Sequence, residues 1–284
     1  MKQIILLIAL LCAPLFTARA QKNGLNFDKK FYECENKWVA LPQKEGEKEY
    51  MYGMVYLDGQ AGYTFDYQGT FTVTNSKFVK DNKPREASMK YRIEKNWTLL
   101  AVLSDQRVKE MGLPAEPDWL HIYRDGEDTT ARLHHKGFIL NDIGATAEAI
   151  SVLLKAYTKE SHYEGVEFEL AFAYNAAEQY DKAIEVLKKA IAYNSKNYMF
   201  YRELGYSHLH LGNVPEAEKT YTKGISMSTD NVQSSEMAFN MAGHYYGTKD
   251  KANFAKWQAI VKKYAAKDSP FLSYLAQMET ELKQ

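Results

Sequence analysis

Seven histidines occur in the chain, and five of them, His134, His135, His208, His210 and His244, could in principle ligate a metal or move protons. Their spacing argues against both. On a helix, adjacent residues point about 100° apart, so His134 and His135 diverge, and His208 and His210 diverge by about 200°. No HExxH or cysteine-rich pattern accompanies them. Carboxylates such as Asp58, Asp66 and Glu94 lie in the N-terminal half and could form an acid/base pair. Sequence does not bring two of them to the roughly 5–9 Å that glycoside chemistry uses. Cys34, in "FYECENKW", reads as a small buried hydrophobe beside Phe31 and Trp38 rather than as a nucleophile. GxSxG, GxGxxG and GxxxxGK[ST] patterns are absent, so no cofactor, metal or catalytic residue is expected and the chain reads as a non-enzyme. The alternative is a hydrolase-like enzyme with its site in the N-terminal half and the rest of the chain recruiting substrate.

The chain opens "MKQIILLIALLCAPLFTARAQ", one lysine, an apolar run and Ala18-Arg19-Ala20. This predicts a signal peptide over residues 1–20, cleaved after Ala20, and hence a periplasmic or secreted protein. The apolar run is shorter than the ~18–20 residues of a bilayer span, so no integral membrane segment is expected. Once Cys12 is lost with the leader, Cys34 stands alone and no intramolecular disulfide is expected. The 36 basic and 36 acidic side chains balance, which argues against nucleic acid as a partner because phosphate binding needs a concentrated basic surface.

Residues 21–128 carry the period and composition of strands. "YMYGMVYLDG" and "GYTFDYQGTFTVT" are rich in aromatic and β-branched residues punctuated by Asp58-Gly59 and Gly69. "ASMKYRIEKNWTLLAVLS" reads as two strands joined near Lys95-Asn96, and "DWLHIYRDGEDTT" as a further short strand closing on Asp125-Gly126. "SDQRVKEMG" reads as a short helix capped by Ser104 and stopped by Gly112.

From residue 129 the period becomes helical. In "EQYDKAIEVLKKAI" two points of the apolar face are alanines, which suits a neighbouring helix that approaches closely. Ala149, Ala183 and Ala217 recur at intervals of 34 residues, as do Ala156, Ala190 and Gly224, and Gly137, Ala171 and Gly205. Three small positions repeating together predict stacked helical hairpins. These residues resemble the tetratricopeptide repeat family, with a W-x2-L-G-x2-Y first helix and an A-x3-F second helix. Tyr201, Leu204, Gly205, His208, Ala217, Tyr221 and Gly224 carry the match best. Leu170, Ala171, Tyr174, Ala183, Leu187 and Ala190 form a second unit, and Leu133, Gly137, Leu140, Ala149, Leu153 and Ala156 a first. A fourth is expected with Phe239, Gly243, Tyr246 and Ala255, offset by 38 residues through an insertion near "STDNVQSS". The expected fold class is therefore α+β: a β-rich domain over 21–128, then an all-α repeat superhelix over 129–284. Its units run about 130–163, 164–197, 198–231 and 236–269, closed by a capping helix over 270–283. "KWVALP", "DGQAGYTFDYQGTF" and "ELAFAYNAAEQYDKAIEVL" also resemble exported proteins of this family from Bacteroidetes-like bacteria, which implies no defined activity.

The resemblance implies a protein or peptide partner held on the concave side formed by first helices. Counting from the motif, the expected binding residues are Phe138, Asn141, Phe168, Phe172, Asn175, Arg202, Tyr206, His210, Asn240 and His244, with His134, His135, Glu169, Glu203 and Met241 on the same faces. Phe138, Phe172 and Tyr206 form an aromatic column, and Asn141 and Asn175 are expected to hold a peptide backbone by bidentate hydrogen bonds. The lysine, asparagine and arginine set that grips a C-terminal carboxylate in chaperone-binding relatives is missing, so a partly apolar ligand is expected. Self-association through the same groove is the remaining possibility.

Overall fold

The computed structural model describes residues 24–81 and 89–283; the expected leader over residues 1–20 lies outside them. The chain divides into two compact units between Tyr123 and Arg124, the first built on a two-residue period and the second on a helical one.

In the first unit a 3-10 turn, Phe31–Cys34, precedes strands β1 (Lys37–Ala40), β2 (Tyr50–Asp58), β3 (Gly62–Thr74), β4 (Lys77–Lys80), β5 (Met89–Arg92) and β6 (Ala101–Val102). Helices α1 (Asp105–Glu110) and α2 (Leu120–Arg124) follow. The sheet is antiparallel in the order β4-β3-β2-β1-β6, and β5 shares the outer edge of β3 with β4. Alternate residues of β2, Tyr50, Tyr52, Met54 and Tyr56, share one face and pack into a core with Trp38, Phe71, Phe78, Val108, Met111 and Leu120, as a period of two requires. A bulge interrupts the β2/β3 register at Tyr52/Gly53. Gly53 is required there, because a Cβ would overlap the Asp66 carbonyl oxygen and the Phe65 ring. The β3–β4 hairpin turns on Asn75 and Ser76, both left-handed at φ 50° and 62°, the twist a two-residue hairpin favours.

Ser104 caps α1 by accepting from the Arg107 N–H, as the sequence predicts. Two expectations change. "DWLHIYRDGEDTT" is helical: the Leu120 N–H bonds the Pro117 carbonyl, Leu120 is fully buried and Ile122 is 66% exposed, so burial follows one helical face and not an alternation. The strands of "ASMKYRIEKNWTLLAVLS" exist, but they do not pair with each other; β5 joins β3 and β6 joins β1.

The second unit stacks four helical pairs: α3 (Thr130–Asp142) with α4 (Thr146–Lys159), α5 (Val166–Ala176) with α6 (Tyr180–Tyr193), α7 (Tyr198–His210) with α8 (Val214–Met227), and α9 (Asn231–Gly247) with α10 (Lys251–Tyr264). Helix α11 (Pro270–Lys283) closes the stack. The recurring small residues are contact points. A Cβ at Gly137 would overlap the Leu153 side chain, and one at Gly205 would lie 2.6 Å from the Tyr221 ring. Ala149, Ala183, Ala217, Ala156 and Ala190 are all fully buried. Each first helix also touches the first helix of the next pair, while second helices do not touch one another to a comparable extent. First helices therefore form the tighter, inner row.

The fourth pair differs from its expected register by one residue. The turns inside the pairs place Gly144, Glu178 and Gly212 in left-handed conformation at 34-residue spacing, and the next such residue, Lys249, comes 37 later. Phe254, not Ala255, therefore stands where Ala217 stands in the third pair, and Ala242, not Gly243, stands where Gly205 does. Burial agrees: Phe254 and Ala242 are buried, Ala255 is exposed, and a Cβ at Gly243 would meet nothing. The extra length sits in α9, which has 17 residues against 13 in α7. Alignment by small residues misses the slip because the last pair packs with large ones, Phe254, Trp257 and Val261.

Candidate binding face of the repeats

On the first helices, positions one repeat apart form rows, and each row does a different job. The row of Phe138, Phe172 and Tyr206 faces outward: Phe138 is 51% and Phe172 37% exposed, and Tyr206 is half-buried. The row ends at Gly243, where the fourth pair supplies no side chain. Phe168 lies beside Phe172 with ring centroids 6.4 Å apart, and the Arg202 guanidinium stacks 5.3 Å from the Phe168 ring. Tyr206 and His210 pack at 4.1 Å, and Tyr180 from the start of α6 stacks on His210 at 5.2 Å. Burial holds the His210 imidazole below its usual range, so it is neutral at pH 7 and joins an aromatic cluster.

The polar residues beside this row are already engaged. Asn141 Nδ2 donates to the Glu169 carbonyl oxygen at 3.0 Å and to Glu169 Oε2 at 2.7 Å. One repeat on, Asn175 Nδ2 donates to the Glu203 carbonyl at 3.2 Å and to Glu203 Oε2 at 3.0 Å. Ser207 Oγ donates to Asn175 Oδ1 at 2.7 Å, so both ends of the Asn175 amide are used. The asparagines thus join successive first helices, and the bidentate grip on a peptide expected of Asn175 is not open to it. Their clamp satisfies the groups that burying Glu169 and Glu203 would otherwise strand. Arg202 is held in the same network, donating to Glu203 Oε1 at 2.7 and 2.9 Å and to Gln233 Oε1.

Burial raises the Glu169 carboxyl above its usual range; the Asn141 bond opposes this, the Glu203 charge adds to it, and Arg202 opposes it. Glu236 is raised too, by burial first and by Glu203 and Asp230 against Arg202. The inner row therefore carries a line of carboxylates short of cations, with Arg202 bridging Glu203 at 2.7 Å and Glu236 at 3.9 Å.

In the fourth pair the expected residues fall elsewhere because of the one-residue slip. Asn240 occupies the row of Glu169 and Glu203, and its Nδ2 donates to the Tyr221 hydroxyl at 3.2 Å, a bond between helices. Met241 is fully buried and belongs to the core. His244 sits on the row of the buried Ser207 and meets Tyr245 edge-on at 5.2 Å. His134 packs on Tyr163, and His208 stands in the packing row of Leu140, Tyr174 and Tyr245, where burial lowers its pKa. Tyr180 is the contributor that counting along first helices misses, because it enters from a second helix. Among the described residues no group of three or more His, Cys, Asp or Glu side chains is arranged to hold a metal ion. In the first unit Asp58 caps its own hairpin, accepting from the Gln60 and Ala61 N–H groups, and Asp66 accepts from Gln68. Cys34 is buried, its thiol pushed up to about 12 by that burial.

Residues 175–233 match the tetratricopeptide repeat family model, a stretch that runs from the end of α5 through α6 and the whole third pair to the start of α9. No curated protein matches the chain. Among solved structures, the chain is similar to TTC0263, a thermophilic tetratricopeptide protein of Thermus thermophilus, at 17% identity, with 55% of this chain and 84% of that one covered and a TM-score of 0.48. It is also similar to MamA, at 20% identity over 57% of this chain and 84% of that one with a TM-score of 0.43. A MamA from Desulfovibrio magneticus RS-1, beginning at its residue 41, matches at 16% identity over 51% and 81% with a TM-score of 0.45.

Proposed function

We propose that the protein is an exported, non-enzymatic adaptor whose repeats dock an extended, partly apolar segment of another envelope or secreted protein along the first-helix row. The observation that carries this reading is the pair of solvent-facing phenyl rings one repeat apart, Phe138 and Phe172, 51% and 37% exposed on the inner row. Among the described residues neither ring belongs to the core clusters of the repeats, and exposing them to water costs stabilisation that burial against a ligand would recover. First helices pack about 8–10 Å apart, close to one turn of a polyproline II segment, three residues at about 3.1 Å each, which brings every third side chain to the same face. The column therefore suits a segment with an apolar side chain at every third position. The consumed asparagines, and the buried Glu169 and Glu203 that they clamp, leave recognition to the rings and to the exposed side chain of Glu236, which favours segments carrying Lys or Arg between the apolar positions.

Isothermal titration of the full chain with synthetic peptides of that pattern tests the reading. A peptide with apolar residues at every third position and interspersed lysines should bind at least tenfold tighter than its scrambled or acidic counterparts. Equal binding of all three would remove the groove assignment.

A further inference from the structure

The first unit contains an aromatic box that the repeats do not explain. Tyr56 from β2 is its floor, 1% exposed, and Trp119 and Tyr123, half-buried, are its walls. Tyr56 meets Trp119 at 5.1 Å and 67° and Tyr123 at 4.4 Å and 57°; Trp119 and Tyr123 stand at 87° to one another, 5.8 Å apart. Three rings on three different planes enclose one point, and that point is occupied by the Lys90 ammonium, 5.5, 5.4 and 5.3 Å from the three ring centroids. The ammonium donates to the Tyr123 hydroxyl at 3.2 Å, and among the described residues no carboxylate reaches Lys90.

A cation enclosed by three π-faces is the arrangement that recognises weakly hydrated ammonium groups. The distances favour a quaternary one. A methyl carbon lies about 1.5 Å from its nitrogen and about 3.5–4.0 Å from a ring carbon at contact, so methyls aimed at the rings place the nitrogen about 5.0–5.5 Å from each. A primary ammonium leaves that shell unfilled. Lys90 is also loosely held: it comes from β5, a four-residue strand on the sheet edge whose residues are all exposed, the kind of element that opens locally at small cost.

We propose that Tyr56, Trp119 and Tyr123 form a binding site for a trimethylammonium group, with Lys90 as a built-in occupant that the ligand displaces. Free choline-type solutes and choline lipid headgroups share this chemistry. The test uses the full chain, with Lys90→Ala and Lys90→Met titrated with choline chloride by calorimetry and, separately, with phosphatidylcholine or phosphatidylglycerol vesicles by flotation. Both variants should bind choline saturably and at least tenfold tighter than wild type, and Trp119→Ala in the Lys90→Ala background should abolish it. Flotation with phosphatidylcholine only would assign the lipid source, and choline binding without flotation the solute. The wild-type chain gives an independent reading: the Lys90 ε-methylene NMR signal, shifted upfield by three rings, should return towards the ordinary lysine position as choline is added. An unmoved Lys90 signal with no saturable binding to either variant overturns the proposal, as does binding that survives Trp119→Ala.

Discussion

Two residue-scale features bear on the stability of the repeats. Four turns inside the helical pairs need a left-handed residue, and two of them, Glu178 at φ 59° and Lys249 at φ 58°, meet that need with side chains that disfavour it. Gly144 and Gly212 do the same task without the Cβ penalty. Glu178→Gly and Lys249→Gly should therefore each stabilise the chain by about 1 kcal/mol, read as a rise of roughly 2–4 °C in thermal midpoint for a domain of this size. The second feature is Glu169, whose carboxyl burial raises above its ordinary value of 4.5. The folded chain holds that proton more tightly than the unfolded one, so stability from this group rises as pH falls from the folded pKa towards the unfolded value. At neutral pH the ionised form counts against the fold. Glu169→Gln keeps an acceptor for Asn141, and should raise the thermal midpoint at pH 8 while leaving it nearly unchanged at pH 4. Melting curves across that range check it, and equal shifts at both pH values would contradict the assignment.

At the scale of elements, the small residues at 34-residue spacing disclosed helical pairs because close helix approach excludes a side chain, a constraint visible in residue type alone. Gly137 and Gly205 abut Leu153 and Tyr221, so Gly205→Ala should cost about 1–3 kcal/mol through overpacking. Ala183→Leu, at a fully buried point of α6, should cost a similar amount; urea unfolding of the two variants measures both. The aromatic column was legible for the same reason, since rows follow from the repeat. What the sequence did not disclose were tertiary choices. The Asn141–Glu169 and Asn175–Glu203 clamps link residues on different helices, and no local pattern distinguishes an asparagine that binds its neighbour from one that awaits a ligand. The slip in the last pair escaped because Phe254 takes a place filled by alanine in the other three. Helix α2 escaped because Trp119, Ile122 and Tyr123 have the composition of a strand, and only the burial of Leu120 against the sheet decides otherwise.

The whole molecule joins a sheet unit with an ammonium-filled aromatic box to a stack of tetratricopeptide-type helical pairs. The inner row of first helices is where we propose that another protein is held. Phe138 and Phe172 are exposed, so Phe138→Ala with Phe172→Ala should leave the far-ultraviolet circular dichroism and thermal midpoint within error while removing the apolar contact area. The most direct measurement places a photo-crosslinking amino acid singly at Phe138, at Phe172, and at the second-helix positions Leu154 and Tyr193, which are 39% and 67% exposed. One discrete protein adduct is expected from the first-helix positions, absent from the second-helix positions and competed away by the peptide that binds in titration. Adducts of equal yield from all four positions, or none from Phe138 and Phe172, would contradict it.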